Sequence, residues 1–227
     1  MLGTLGYIKG LLIANHGDVY NESNFKPGEL PILGGSIDVP DVPEGTTVLD
    51  KCRIYGIWSS GIDGLMDTKI TCRFMLEEDP PDYNTSYFGT ENGYRFMSGK
   101  QRQARVCQNS GRCTDFTEII TYNTEYNVTV GNGTVIINGV DHSSEITWYS
   151  SVIGDIVPIC LGSAAIVNPR LPMIIYTFKI FNSTDNLIAD YVPVKLQDNT
   201  ISLYDVIRQQ YITKIEENSE WYINEVI

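Results

Sequence analysis

The sequence is poor in charge, and poorest in positive charge. Charged residues make up 19% of the 227, and 16 Lys and Arg stand against 28 Asp and Glu, for a formal net charge of −12. A surface of that sign repels phosphate backbones and anionic lipid headgroups, which argues against nucleic acid and membrane as partners. The one basic cluster, Lys100, Arg102, Arg105 and Arg112, reads as a solvated loop or strand face. No run of residues is long and apolar enough to span a bilayer as a helix. Met1 to Ala14 is mildly apolar, but no basic stretch precedes it, Lys9 interrupts it and no good cleavage pattern closes it, so it does not read as a signal peptide.

Histidine is nearly missing. His16 and His142 are the only two. Neither they nor the cysteines show the spacing of a zinc site, and a Ser-His-Asp or Cys-His assembly has no support in the sequence. There is no Gly-x-Ser-x-Gly elbow, no phosphate-binding loop and no dinucleotide fingerprint. No catalytic residue, cofactor or metal is expected. Cysteine is sparse and odd in number, at 52, 72, 107, 113 and 160. Without an export signal that argues against a disulfide framework. Cys107 and Cys113 flank a turn-like Gln-Asn-Ser-Gly-Arg insert and are expected to face each other across a hairpin as a reduced pair. The others read as small buried hydrophobes.

What the chain does have is 42% hydrophobic residues and 14 tyrosines, with abundant Thr, Val and Ile. Those residues suit pleated strands better than helices, so the chain reads as all-β. The length fits one large sandwich with an extra arm. Residues 1–45 hold four of the ten prolines (Pro27, Pro31, Pro40, Pro43) and several turn runs. Proline cannot donate to a sheet ladder, so this stretch reads as an extended N-terminal arm, with Leu5 to Ala14 open between a short strand and a helical stretch.

Residues 46–227 read as a single β-sandwich. In Asp67 to Leu76 the residues Ile70, Cys72, Phe74 and Leu76 alternate onto one face. Tyr94–Met97 and Ala104–Cys107 form the arms of another pair, and Ile119–Tyr122 follows. Tyr126–Val130 and Thr134–Ile137, joined by Gly131-Asn132-Gly133, read as a hairpin, and Asn138-Gly139 turns the chain again. Further strands are expected at Ile156–Leu161, Ile174–Phe181, Leu187–Val194, with Pro193 marking an edge or strand end, and Ile201–Tyr204. In the tail, Tyr204, Ile207, Tyr211 and Ile215 fall at helical spacing but also fit strand, turn, strand.

The C-terminal third resembles a known family. Ile175 to Phe181, the polar turn Asn182 to Asn186, Leu187-Ile-Ala-Asp-Tyr-Val-Pro-Val194 and Asp198 to Asp205 are similar to the ending of concanavalin A-like, laminin-G-like domains of bacteriophage virion proteins. Tyr191-Val-Pro193 and Leu203-Tyr204-Asp205 match the family pattern well, while Asn199 and Ser202 stand where it has glycines. Asp67-Thr68, Phe88-Gly89, the Tyr126 hairpin with Asn138-Gly139-Val140, and Pro158 to Gly162 follow in family order, so the likeness runs from about Thr46 to Asp205. It implies a jelly-roll sandwich and a virion structural role: a head-fibre, decoration or tail-fibre component, assembled in the host cytoplasm. Residues 1–45 would attach it to other capsid or tail proteins. The resemblance suggests a homotrimer and a host-surface carbohydrate as a further ligand. The rival reading is a bacterial carbohydrate-binding module or surface lectin.

Some concanavalin A-like proteins are glycosidases that set a carboxylate pair on one strand as Glu-x-Asp-x-x-Glu. That motif is missing here, and Glu77, Glu78 and Asp79 sit beside Pro80 and Pro81 in a loop. Asp63, Asp67, Asp141 and Asp155 could ligate calcium but read better as turn residues. Trp58, Trp148 and Tyr149 are the candidate aromatic platform for a sugar ring, against the plainer reading of core residues. Asn-x-Ser/Thr sequons at Asn21, Asn84, Asn127, Asn132 and Asn182 are read as unused. In Leu203-Tyr204-Asp205 the leucine is expected to face the core, with Tyr204 and the carboxylate at the rim.

Overall fold

The computed structural model describes residues 40–62, 68–80, 85–90, 94–108, 112–148, 157–161, 171–212 and 222–225. Among these residues the strands are, in chain order, β1 Thr47–Val48, β2 Cys52–Tyr55, β3 Ile57–Ile62, β4 Lys69–Leu76, β5 Ser86–Thr90, β6 Tyr94–Ser98, β7 Gln103–Gln108, β8 Arg112–Ile119, β9 Glu125–Gly131, β10 Thr134–Ile137, β11 Val140–Asp141, β12 Val157–Leu161, β13 Pro172–Phe181, β14 Leu187–Lys195, β15 Ile201–Asp205, β16 Gln210–Tyr211 and β17 Tyr222–Glu225. Among the described residues the only helical turns are short 3-10 pieces at Lys100–Arg102 and Ser143–Glu145. The chain is all-β, as its composition implies.

The strands form two antiparallel sheets. The larger runs β11-β10-β9-β4-β13-β14-β15-β16, with β1 paired to β14 and β2 set between β13 and β17. The smaller runs β3-β12-β5-β6-β7-β8. Alternation explains the larger sheet. Ile70, Cys72, Phe74 and Leu76 of β4 are all 0% exposed, while Lys69, Thr71, Arg73 and Met75 between them are not. The inner faces of both sheets share one aromatic core. Phe74 of β4 meets Tyr87 and Phe88 of β5 with ring centroids at 5.7 and 5.9 Å, and Phe96 of β6 at 6.3 Å.

The Tyr126 hairpin forms as read. Thr134 pairs with Gly131, which leaves Asn132 and Gly133 as a two-residue turn, both at positive φ (47° and 74°). Asn138 and Gly139 repeat this at 49° and 84°. Mirror-image turns of this kind match the right-handed twist of the flanking strands. Gly131 has a further reason to be glycine: a Cβ there would lie 2.1 Å from the Thr68 carbonyl oxygen.

Two local expectations are corrected and two open ones are decided. The strand read at Ile119–Tyr122 begins earlier, at Arg112, because Arg112, Cys113, Thr114 and Asp115 pair with β7, and it ends at Ile119. Pro193 stands two residues before the end of β14, flanked by β15 rather than on an edge. The tail takes strand, turn, strand over Ile201–Tyr211, with Tyr204 opposite Tyr211 at 5.0 Å between ring centroids. Cys107 and Cys113 face each other across β7 and β8, as expected, but as a disulfide rather than a reduced pair, because the ladder brings their Cα atoms to 4.0 Å. Cys52 and Cys72 are free and buried. Burial pushes the Cys52 thiol up to about 12 and Cys72 well above its ordinary value, which keeps both protonated and inert.

Leu203 is 0% exposed and Ile201 9%, both on the core side of β15. Leu203→Ala is therefore expected to cost about 2–5 kcal/mol in denaturant melts, the range for truncating a buried leucine. A variant as stable as the parent would show that the β15 side chains do not close the core.

Candidate functional site

The densest polar constellation among the described residues lies where β14, β15 and the turn after β15 meet. The ladder sets Tyr191 opposite Asp205, Val192 opposite Tyr204 and Pro193 opposite Leu203. Asp205 is 0% exposed and Tyr204 5%, so both are buried and neither stands at the rim. The Asp205 Oδ1 accepts the backbone N–H groups of Asp190 (3.1 Å), Ile207 (3.0 Å) and Arg208 (3.3 Å). Its Oδ2 accepts Arg208 Nε, and Arg208 Nη2 donates to the Tyr191 hydroxyl. The guanidinium lies 5.8 Å over the Tyr191 ring. Both carboxylate oxygens are spent on the protein itself, so the cluster locks the turn and offers no group to a substrate.

Arg208 and Tyr191 are the side-chain partners of this cluster that sequence reasoning missed. The Asp-x-x-Arg spacing across a turn was the available signal. Burial pushes Tyr191 up to about 12, against the opposing pull of the Arg208 charge, and burial raises Tyr87 further still. A group whose folded value is raised contributes stability that is complete below its unfolded value, about 10 for tyrosine, and is lost as pH climbs toward the folded value. Stability should fall from about pH 10 upward. These two phenols should ionise only together with unfolding, when phenolate absorbance and circular dichroism are followed in one alkaline titration. Phenolate appearing from every tyrosine before the fold is lost would contradict their burial.

The second constellation surrounds His142, 4% exposed. Its Nδ1 lies 2.7 Å from Glu145 Oε1, its Nε2 lies 3.1 Å from Glu118 Oε1, and its ring meets Phe116 edge-on at 5.3 Å. The neighbouring hydroxyl does not complete a nucleophile pair. Ser143 Oγ donates to Asp141 Oδ1 and accepts the Val135 N–H at 3.0 Å. Asp141 Oδ1 also accepts the Ser143 N–H at 2.8 Å, the turn role read for it. Asp63, Asp67, Asp155, His16 and the sequons at Asn21 and Asn84 lie outside the described residues. Among those described, no group of three His, Cys, Asp or Glu gathers to hold a metal ion.

Of the three sugar-platform residues, Trp148 is the one whose side chain is described. Trp148 is half-buried against the core. It meets Tyr94 edge-on at 5.8 Å, and its Nε1 donates to the Ser143 carbonyl at 3.1 Å. The backbone of Trp58 pairs with Cys160 in the smaller sheet, and Tyr149 lies outside the described residues. Two residues of the basic cluster are paired with carboxylates. Arg102 pairs with Asp79 at 2.8 Å, and Arg105 grips Asp115 with two bonds, one of them at 2.8 Å. The hydrogen bond from Arg105 holds the Asp115 carboxyl below its ordinary value. The outer face of the larger sheet is laced in the same way, by Arg53–Glu77 and Arg73–Glu125 at 2.6 Å and Lys179–Asp190 at 2.8 Å. Arg73 lies 4.7 Å over the Tyr176 ring.

No family model, curated protein or solved structure matches the chain.

Proposed function

We propose that the chain is a virion structural protein of the bacteriophage type, a head-fibre, decoration or tail-fibre component built on a laminin-G-like jelly roll. The observation that carries this reading is a register. The two segments that resemble the family ending, Tyr191-Val-Pro193 and Leu203-Tyr204-Asp205, pair residue for residue as neighbouring strands. They are joined to each other by a buried carboxylate, which is a structural use of the motif. The sandwich would project from the particle, residues 1–45 would join it to capsid or tail proteins, and the assembly would be a homotrimer. A host-surface carbohydrate is the ligand class such a component would present itself to.

The test is particle association. Mass spectrometry of purified virions should find the chain, and a form lacking residues 1–45 should keep strand-type circular dichroism yet be lost from the particle. A truncated protein that still joins normally would remove the arm as anchor. Absence of the full chain from virions would remove the reading.

A further inference from the structure

One cross-strand row of the smaller sheet runs Gly89, Arg95, Cys107, Cys113 on β5, β6, β7 and β8. Directly paired residues of antiparallel strands project to the same face, so Arg95 and both cysteines share one side of the sheet. The two sulfurs are unlike in access. Cys113 is exposed, on β8 at the end of the sheet, whereas Cys107 is 1% exposed and its Sγ lies 3.1 Å from Met97 Sδ. The buried sulfur also belongs to a residue paired with an arginine. Arg95 stands opposite Cys107, and its Nε is buried without a hydrogen-bond partner among the described residues. Arg105, two residues before Cys107 and on the same face, is 8% exposed and is spent on Asp115. A buried donor left unpaired is uncommon in folded proteins and asks for a role. Guanidinium groups beside a sulfur lower the cost of forming a thiolate there.

We propose that Cys107–Cys113 is a thiol–disulfide exchange site, entered at Cys113 by an external thiol. The incoming thiolate attacks Sγ of the exposed Cys113 and forms a new S–S bond to it. The Cys107–Cys113 bond breaks, and its electron pair leaves as a thiolate on Cys107, the residue paired with Arg95. With a dithiol, the second sulfur then attacks the mixed disulfide. The reagent leaves oxidised as its own disulfide, and the two protein thiols take up two protons from the reagent or solvent. The asymmetry in access fixes the direction: attack is open at Cys113 and closed at Cys107, and the leaving sulfur belongs to the residue paired with Arg95.

The test uses the full chain, purified without reductant, and exposes it in the native state to graded dithiothreitol followed by iodoacetamide and peptide mapping. Cys107 and Cys113 should be alkylated at least about tenfold faster than the buried Cys52 and Cys72. Alkylation of all four together, only as circular dichroism is lost, would overturn the proposal, as would finding Cys107 and Cys113 as free thiols before reductant is added. A Cys107→Ser chain that keeps the native spectrum should capture oxidised glutathione at Cys113. Failure to form that mixed disulfide would also overturn it.

Discussion

Asp205→Ala should destabilise the protein by about 3–5 kcal/mol, the cost of removing one partner of a buried ion pair. Two losses combine. The N–H groups of Asp190, Ile207 and Arg208 lose the oxygen that accepts them, and stranded donors are penalised by about 1–3 kcal/mol. Arg208, whose side chain is 24% exposed, loses its counter-charge while still held over Tyr191. Partial exposure lets water recover some of the second loss, so the lower half of the range is the better expectation. Asp205→Asn keeps one acceptor oxygen for the backbone and should fall between Ala and the parent. Urea melts of the three proteins measure the series. Equal stability across it would mean the carboxylate is solvated, and the reading of the Leu203-Tyr204-Asp205 ending as a closing element would fail.

Phe74→Ala should be at least as damaging, about 3–5 kcal/mol for truncating a buried phenylalanine. The ring is the point at which the two sheets meet. It touches Tyr87, Phe88 and Phe96 from the smaller sheet, and Tyr126 on β9 of its own sheet at 5.7 Å. Its removal opens a void among residues that are themselves 0–6% exposed, and close-packed strands cannot collapse to fill it. Phe74→Leu retains most of the volume and should cost less than half as much. A small Phe74→Ala effect in calorimetry would show that the sheets are not held by this cluster.

What could be read from sequence followed from half-burial. β4 and the Tyr126 hairpin alternate because one face meets the core and the other meets water, and that period of two is visible in the letters. The central strands of the smaller sheet do not alternate. Tyr94, Phe96, Met97 and Ser98 of β6 are all buried, as are Ala104 to Gln108 of β7, so their signal is a short run without period. β8 opens on Arg112-Cys-Thr-Asp, polar letters of an exposed strand at the sheet's end, and the apolar pair of Ile119, its last residue, and Ile120 drew the reading too far along. Asp205 was legible as a backbone acceptor but not as buried, because the partner that permits burial, Arg208, arrives through a turn whose shape no local propensity fixes. For Trp148 the sequence left both readings open. A tryptophan's letter is the same whether it braces a core, as Trp148 does with its N–H already committed, or offers its face to a ligand.

The pairing of β17 with β2 has a mechanical consequence. Cys52, at the start of β2, stands opposite Glu225, the last residue of β17. A load pulling those two strand ends apart meets the ladder one rung at a time and opens it like a zipper, at low force. A load carried from Cys52 into the body of the larger sheet must instead break free of β13, through the rungs from Ile175 to Pro172. Force arriving from both directions along the chain therefore meets the two rungs of β1 on β14 and the β17–β2 ladder before it loads the interior strands.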